Sequence, residues 1–107
     1  MSINLFDLTN KVAIVTGGAG LLASEHAIAL CSYGATVVLA DFNLEKCQAA
    51  VDVLKKDGLN VSAAFCDVTK KESWETLLAD VLKKHNKVDI LINNAGFTRS
   101  EEHTSEL

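Results

Sequence analysis

Three glycines and one carboxylate give the first indication of chemistry. In Val12-Ala-Ile-Val-Thr-Gly-Gly-Ala-Gly-Leu-Leu-Ala23 a run of strand-forming residues stops at Gly17, Gly18 and Gly20, and a helix begins. Without a Cβ the backbone turns sharply and a phosphate can approach bare amides. The unpaired N–H groups and positive dipole end of the following helix then favour an anion such as a pyrophosphate. Gly18, Gly20 and Ala23 fit the G-x-G-x-x-G/A spacing of dinucleotide-binding turns. A plain strand-to-helix turn can carry the same glycines, and a second feature weighs against that reading. Asp41 closes the next apolar run, Thr36 to Ala40, about twenty residues on, where a carboxylate accepts hydrogen bonds from ribose hydroxyls. That placement favours NAD over NADP, because a 2′-phosphate would meet like charge at Asp41 and no arginine follows to bind it.

The elements that must hold these residues alternate between strand and helix periodicity. Val12, Ile14 and Val15 suit a strand buried on both faces. Leu22, Ala23, Ala27, Leu30 and Cys31 recur at helical spacing, and Gly34 sits where a left-handed residue would end that helix. After the second strand, Asn43 can cap a helix whose apolar face is Leu44, Cys47, Val51 and Leu54, stopped by Gly58. Residues 60–66 form a third strand candidate. Thr69 and Glu72 have capping-box spacing ahead of Trp74, Leu77, Leu78, Val81 and Leu82, which make a strong helical stripe. Val88 to Ile92 is then a fourth buried strand, ending at Asn93-Asn94-Ala95-Gly96. Three strand-helix-strand units imply right-handed crossovers and a parallel α/β sheet of the doubly wound Rossmann type, with about four strands and three helices. Such sheets bind ligands at the carboxyl ends of their strands, here Thr16-Gly17, Asp41, Cys66-Asp67-Val68 and Asn93 to Gly96.

Bulk properties narrow the class. The chain has 107 residues, 49% of them apolar, with no proline and a net charge of −4. It is long enough for one small domain with a core, and has neither a basic footprint for nucleic acid or anionic membrane nor a stretch that would span a bilayer. Residues 1–11 lack the features of a signal peptide, so a cytoplasmic location is expected. Cys31, Cys47 and Cys66 are odd in number and lie in apolar patterns, and read as buried free thiols in preference to a metal site or disulfide. No metal site is expected. His26 and His85 read as surface or partly packed residues, and Asp89 as a turn-side carboxylate. Arg99 to Leu107 has no apolar periodicity and resembles the conceptual translation of a sequencing-library adapter. It is set apart as a non-native tail, leaving residues 1–98 as the domain.

Leu8-Thr-Asn-Lys-Val-Ala-Ile-Val-Thr-Gly-Gly-Ala-Gly20, Asp41, Asp67-Val68 and Val88-Asp-Ile-Leu-Ile-Asn-Asn-Ala-Gly96 together resemble the N-terminal part of a short-chain dehydrogenase/reductase. Nearly everything from Leu5 to Phe97 takes part, and Asn-Asn-Ala-Gly after a buried strand is the most specific element. The resemblance implies that Gly17, Gly18, Gly20, Leu21 and Leu22 line the pyrophosphate and that Asp41 holds the adenosine ribose. It further implies that Asp67 and Val68 flank the adenine, and that Asn94, Ala95 and Gly96 border the nicotinamide-side ribose. Asn93 reads as structural. Two departures stand out. Leu21 and Ala23 occupy positions where the common T-G-x-x-x-G-x-G pattern has glycines, so the sequence fits T-G-x-x-G-x-x-A instead. The family's Tyr-x-x-x-Lys pair, whose lysine lowers the tyrosine pKa for acid–base work, is missing as well. The only tyrosine is Tyr33, with Val37 four residues on. The expectation is therefore the cofactor-binding portion of an NAD-dependent oxidoreductase acting on an alcohol or carbonyl substrate, oligomeric at full length. The alternative is a non-catalytic dinucleotide-binding fragment or a truncated product.

Overall fold

Four short strands rich in Val, Ile, Leu and Ala alternate with three helices, and each boundary has a local cause. The computed structural model describes residues 7–94. The order is β1 (Val12–Thr16), α1 (Leu21–Ser32), β2 (Thr36–Asp41), α2 (Leu44–Lys56), β3 (Val61–Phe65), α3 (Lys71–His85) and β4 (Ile90–Asn93). Helix α1 ends as Gly34 takes φ of 104°, and α2 ends before Gly58 at φ 83°, backbone conformations that favour glycine. Asn43 caps α2, its side-chain oxygen accepting the Lys46 N–H at 3.0 Å. Asn86, at φ 72°, closes α3.

The strands form one parallel sheet in the order β3-β2-β1-β4. Reversal of direction at β1 sends the helices to opposite faces. Ala13, Val15, Val37 and Leu39 pack under Ala23 and Ala27 of α1 and Cys47, Val51 and Leu54 of α2. Val12, Ile14, Val38 and Ala40 pack against Leu77 and Val81 of α3. The central β1 is buried at all five positions, as its unbroken apolar run requires. The arrangement is the doubly wound α/β sheet expected from the alternating periodicity.

Three local expectations change. Thr69 does not cap α3: its N–H and hydroxyl both donate to Asp67 Oδ1, at 3.0 and 2.6 Å, and Lys70 occupies the cap position without a side-chain bond. The short Asx turn at Asp67 competes successfully for the threonine hydroxyl. Strand β4 is not buried on both faces. Ile90 and Ile92 pack toward α1 and α2, whereas Leu91 is 53% exposed and lines an open apolar trough with Val68, Trp74 and Leu78. β4 is the last strand in the order, and α3 alone covers that side of the sheet among the described residues. Cys31 is half-buried, unlike Cys47 and Cys66. The domain boundary at residue 98, the tail, Ala95 and Gly96 lie outside the described residues.

Candidate functional site

Parallel pairing brings the carboxyl ends of the strands together. Thr16 is in register with Ala40 on β2 and Asn93 on β4, and Asp41 with Phe65 on β3. The glycine turn rises from this edge. Gly17 adopts φ of 72°, its carbonyl accepts the Gly20 N–H at 3.0 Å, and Gly20 becomes the cap residue of α1. No side chain caps α1, and its first intrahelical bond runs from Ser24 N–H to the Gly20 carbonyl. The amides of Leu21, Leu22 and Ala23 therefore precede the intrahelical ladder, where an anion would be received. Gly20 is exposed, and among the described residues a Cβ there would meet only the Gly17 carbonyl, at 3.3 Å.

Gly18 has a different place from that expected. It is buried, its N–H donates to the Ala40 carbonyl at 2.9 Å, and a Cβ would lie 2.8 Å from Leu39 Cβ and 3.0 Å from both Ala40 N and Cys47 Sγ. Its amide is engaged by β2 and its missing side chain admits β2 and α2. Ala23, 1% exposed, likewise packs its methyl in the core. Leu21 and Leu22 are 79% and 59% exposed, on the open rim of the turn.

Asp41 is half-buried beside the turn. Its Oδ2 accepts the Ala19 N–H at 3.0 Å and its Oδ1 the Asn43 N–H at 2.8 Å. The carboxylate thus bridges the glycine turn and the start of α2, with lone pairs remaining for a ligand hydroxyl. Neither bond is legible from residue spacing. Asp67 is half-buried, with its carboxylate held below the ordinary range chiefly by the Thr69 hydroxyl and then by the Thr69 N–H. Its own N–H donates to Ser73 Oγ at 2.8 Å, and the Val68 carbonyl accepts Trp74 Nε1–H at 3.0 Å, so the Asp67-Val68 corner is fixed to α3.

At the β4 end the buried Thr16 hydroxyl donates to Asn93 Oδ1 at 2.6 Å, which makes Asn93 a brace between the central strands. Asn94 is half-buried, and its side-chain nitrogen is buried with no hydrogen-bond partner among the described residues. Asp89 is more than a turn carboxylate: its Oδ2 accepts the Val12 N–H at 2.9 Å and its N–H donates to the Val12 carbonyl at 2.8 Å, setting the β1/β4 register. An exposed aromatic pair, Phe42 and Phe65 with ring centroids 5.8 Å apart, stands next to Asp41 and is not legible in the sequence because its members are 23 positions apart. His26 and His85 are both half-buried. Tyr33 is at the far end of α1, 44% exposed. Among the described residues no group of three or more His, Cys, Asp or Glu could hold a metal, and no helix is long and apolar enough to cross a membrane.

A parallel sheet with an uncapped glycine-turn helix and a carboxylate at its carboxyl edge defines a protein of the Rossmann class. The chain belongs to the short chain dehydrogenase family, whose pattern it matches over residues 11–107. It is 37% identical to a 7alpha-hydroxysteroid dehydrogenase of Escherichia coli over 83% of this chain and 35% of that protein. Identity to an Escherichia coli 5-keto-D-gluconate 5-reductase is 32% over 94% of this chain and 40% of that protein. A crystal structure from Haemophilus influenza with bound NAD superposes with a TM-score of 0.79 at 29% identity, covering 87% of this chain and 33% of that one. The chain thus spans well under half the length of the curated relatives it matches.

Proposed function

We propose that this chain is the dinucleotide-binding portion of an NAD-dependent oxidoreductase that acts, in its longer form, on an alcohol or carbonyl group of a small molecule. The observation that carries the reading is the uncapped start of α1 beside Asp41: free first-turn amides for a pyrophosphate and a carboxylate for a ribose, on one strand edge. Gly17, Gly20, Leu21 and Leu22 would line the pyrophosphate, with Gly18 shaping the turn from behind. Asp67 and Val68 would flank the adenine. The buried Asn94 side-chain nitrogen, unpartnered among the described residues, supports a place for Asn94, with Ala95 and Gly96, bordering the nicotinamide-side ribose. Bound nicotinamide supplies the hydride chemistry, while these residues bind and orient it. The relatives named as dehydrogenases and a reductase, and the neighbour solved with NAD, support the oxidoreductase class and the cofactor.

A second reading is favoured by the sequence itself. No Tyr-x-x-x-Lys pair occurs in the 107 residues, which supports reading these residues as a dinucleotide-binding unit. The test is calorimetric titration of the chain with NAD, NADP and ADP-ribose. A unit charge about 4 Å from Asp41 costs roughly 1–4 kcal/mol across aqueous to surface dielectric, so NADP should bind at least about fivefold more weakly than NAD. Absence of binding by all three ligands would remove the dinucleotide reading, and equal affinity for NAD and NADP would remove Asp41 from the ribose.

A further inference from the structure

We propose that Asp41 is also a positioning residue, one that holds the glycine turn in the shape that receives pyrophosphate. The proposal rests on the dinucleotide reading above and adds a second role to the same carboxylate. The N–H groups of Gly18, Ala19 and Gly20 have anchors of three different kinds. Gly18 donates to the β2 main chain at Ala40, and Gly20 donates back to the Gly17 carbonyl within the turn. Ala19 alone is held by a side chain, Asp41 Oδ2, across 22 positions of sequence. The other oxygen of that carboxylate is held by the Asn43 N–H immediately before α2. The carboxylate is therefore fixed from one side and fixes the turn on the other. It also sits between the starts of α1 and α2, where negative charge is favoured.

A residue that only accepted ribose hydroxyls would leave the turn unchanged when removed. A residue that only repelled anions would, when neutralised, let pyrophosphate bind more tightly. An anchor behaves differently from both. Without an acceptor at position 41 the Ala19 N–H loses its partner, the tip of the turn relaxes, and the amides leading into α1 lose their alignment. A binding site tuned to NADP could then not be reached by deleting Asp41 alone, because the deletion also loosens the phosphate cradle.

Asp41→Ala and Asp41→Asn separate these effects, because both are neutral and Asn keeps one side-chain acceptor, enough for the Ala19 N–H or the Asn43 N–H but not both, whereas Ala keeps none; amide exchange at Ala19 and Asn43 shows which bond Asn retains. Inorganic pyrophosphate, which carries no ribose, is titrated into the 107-residue chain and both variants, alongside ADP-ribose. Amide hydrogen exchange at Ala19 and Asn43 is followed without ligand. One net hydrogen bond corresponds to about a threefold to tenfold change in an equilibrium constant. The expected result is pyrophosphate binding weaker by that factor in Asp41→Ala than in Asp41→Asn, with correspondingly faster exchange at Ala19 in Asp41→Ala. Should Asp41→Ala fail to fold, Asp41→Ser, whose hydroxyl stops one bond short of the carboxylate oxygens, carries the same expectation. Equal pyrophosphate affinity and equal Ala19 exchange in the two variants, with ADP-ribose weakened in both, would overturn the positioning role and leave the ribose role standing. A wild-type chain that binds neither ADP-ribose nor pyrophosphate would overturn the dinucleotide reading and the positioning role with it.

Discussion

Gly18 and Gly20 lie two positions apart in one turn, yet a methyl group added to each should fail in opposite ways. At Gly18 an added Cβ meets Leu39 Cβ at 2.8 Å, closer than real Cβ contacts allow, and Ala40 N and Cys47 Sγ at 3.0 Å, tighter than most. Two of the three are the Cβ and backbone of β2, the strand next to β1, and neither can move without disturbing the sheet. Overpacking of this kind costs about 1–3 kcal/mol. The Gly18 N–H bond to the Ala40 carbonyl, at 2.9 Å, would stretch as the turn backs away, so Gly18→Ala belongs at the upper end of that range. At Gly20 the backbone is extended, with φ −87° and ψ 161°, which alanine adopts, and the single near contact is 3.3 Å from the Gly17 carbonyl. Loss of a glycine cap there costs up to about 1 kcal/mol. The methyl would instead sit on the exposed cap residue immediately before the first-turn amides, where a bound pyrophosphate would be expected to meet it. Urea unfolding and calorimetric titration with ADP-ribose, run on both variants, should show Gly18→Ala losing most stability and Gly20→Ala losing most affinity. Adding Cys47→Ala to Gly18→Ala should recover only part of the loss, since Leu39 and Ala40 remain. A Gly18→Ala protein within about 0.5 kcal/mol of wild type would refute the packing role, because ordinary surface substitutions fall in that interval.

The acid limb of stability has an assigned source. The Val12 N–H chiefly holds the Asp89 carboxyl below its ordinary 3.8, and the Thr69 hydroxyl does the same for Asp67. A depressed folded pKa contributes stability that is present above the unfolded value and lost as pH falls through the folded one. The urea midpoint should therefore drop below about pH 4 and drop less steeply in Asp89→Asn, and an unchanged slope would release Asp89 from this role. For the thiols, burial first and the Asp41 charge second push Cys47 up to about 11. In the native chain at pH 8 a disulfide reagent should modify the half-buried Cys31 first, while Cys47 and Cys66 react only on unfolding. Fast native labelling of Cys47 would contradict its packing beneath the turn.

Much of the fold was legible because the signals were local. Val12 to Thr16 reads as a strand buried on both faces since it has no polar side to offer, and Asn43 reads as a cap since its partner, Lys46 N–H, is three residues away. Gly34 and Gly58 mark the ends of helices because their positive φ is a property of one residue. Local signals mislead where two motifs compete for one group. Thr69 and Glu72 have capping-box spacing, but Asp67 takes the Thr69 hydroxyl and moves the helix start to Lys71. Such signals are silent at β4, whose apolar run looks the same whether its outer face is covered or open.

What the sequence determined by itself is the alternation of strands and helices, the glycine turn and the acid that follows it. Periodicity and backbone permissiveness are written residue by residue. Tertiary structure decided which of those residues stand at the open carboxyl edge of the sheet and which pack behind it. Gly18 and Gly20 look equivalent in a motif, and only the register of β1 against β2 turns one inward against Leu39 and leaves the other at the open end of α1. The same register lets Asp41 reach the Ala19 N–H, lets Asp89 reach Val12 and sets the Thr16 hydroxyl against Asn93. These contacts join positions 22 to 77 residues apart, and a hydrogen bond needs its partners within about 3 Å. Only the packed parallel sheet fixes positions that finely, which is why the motif was visible in the chain and the division of labour within it was not.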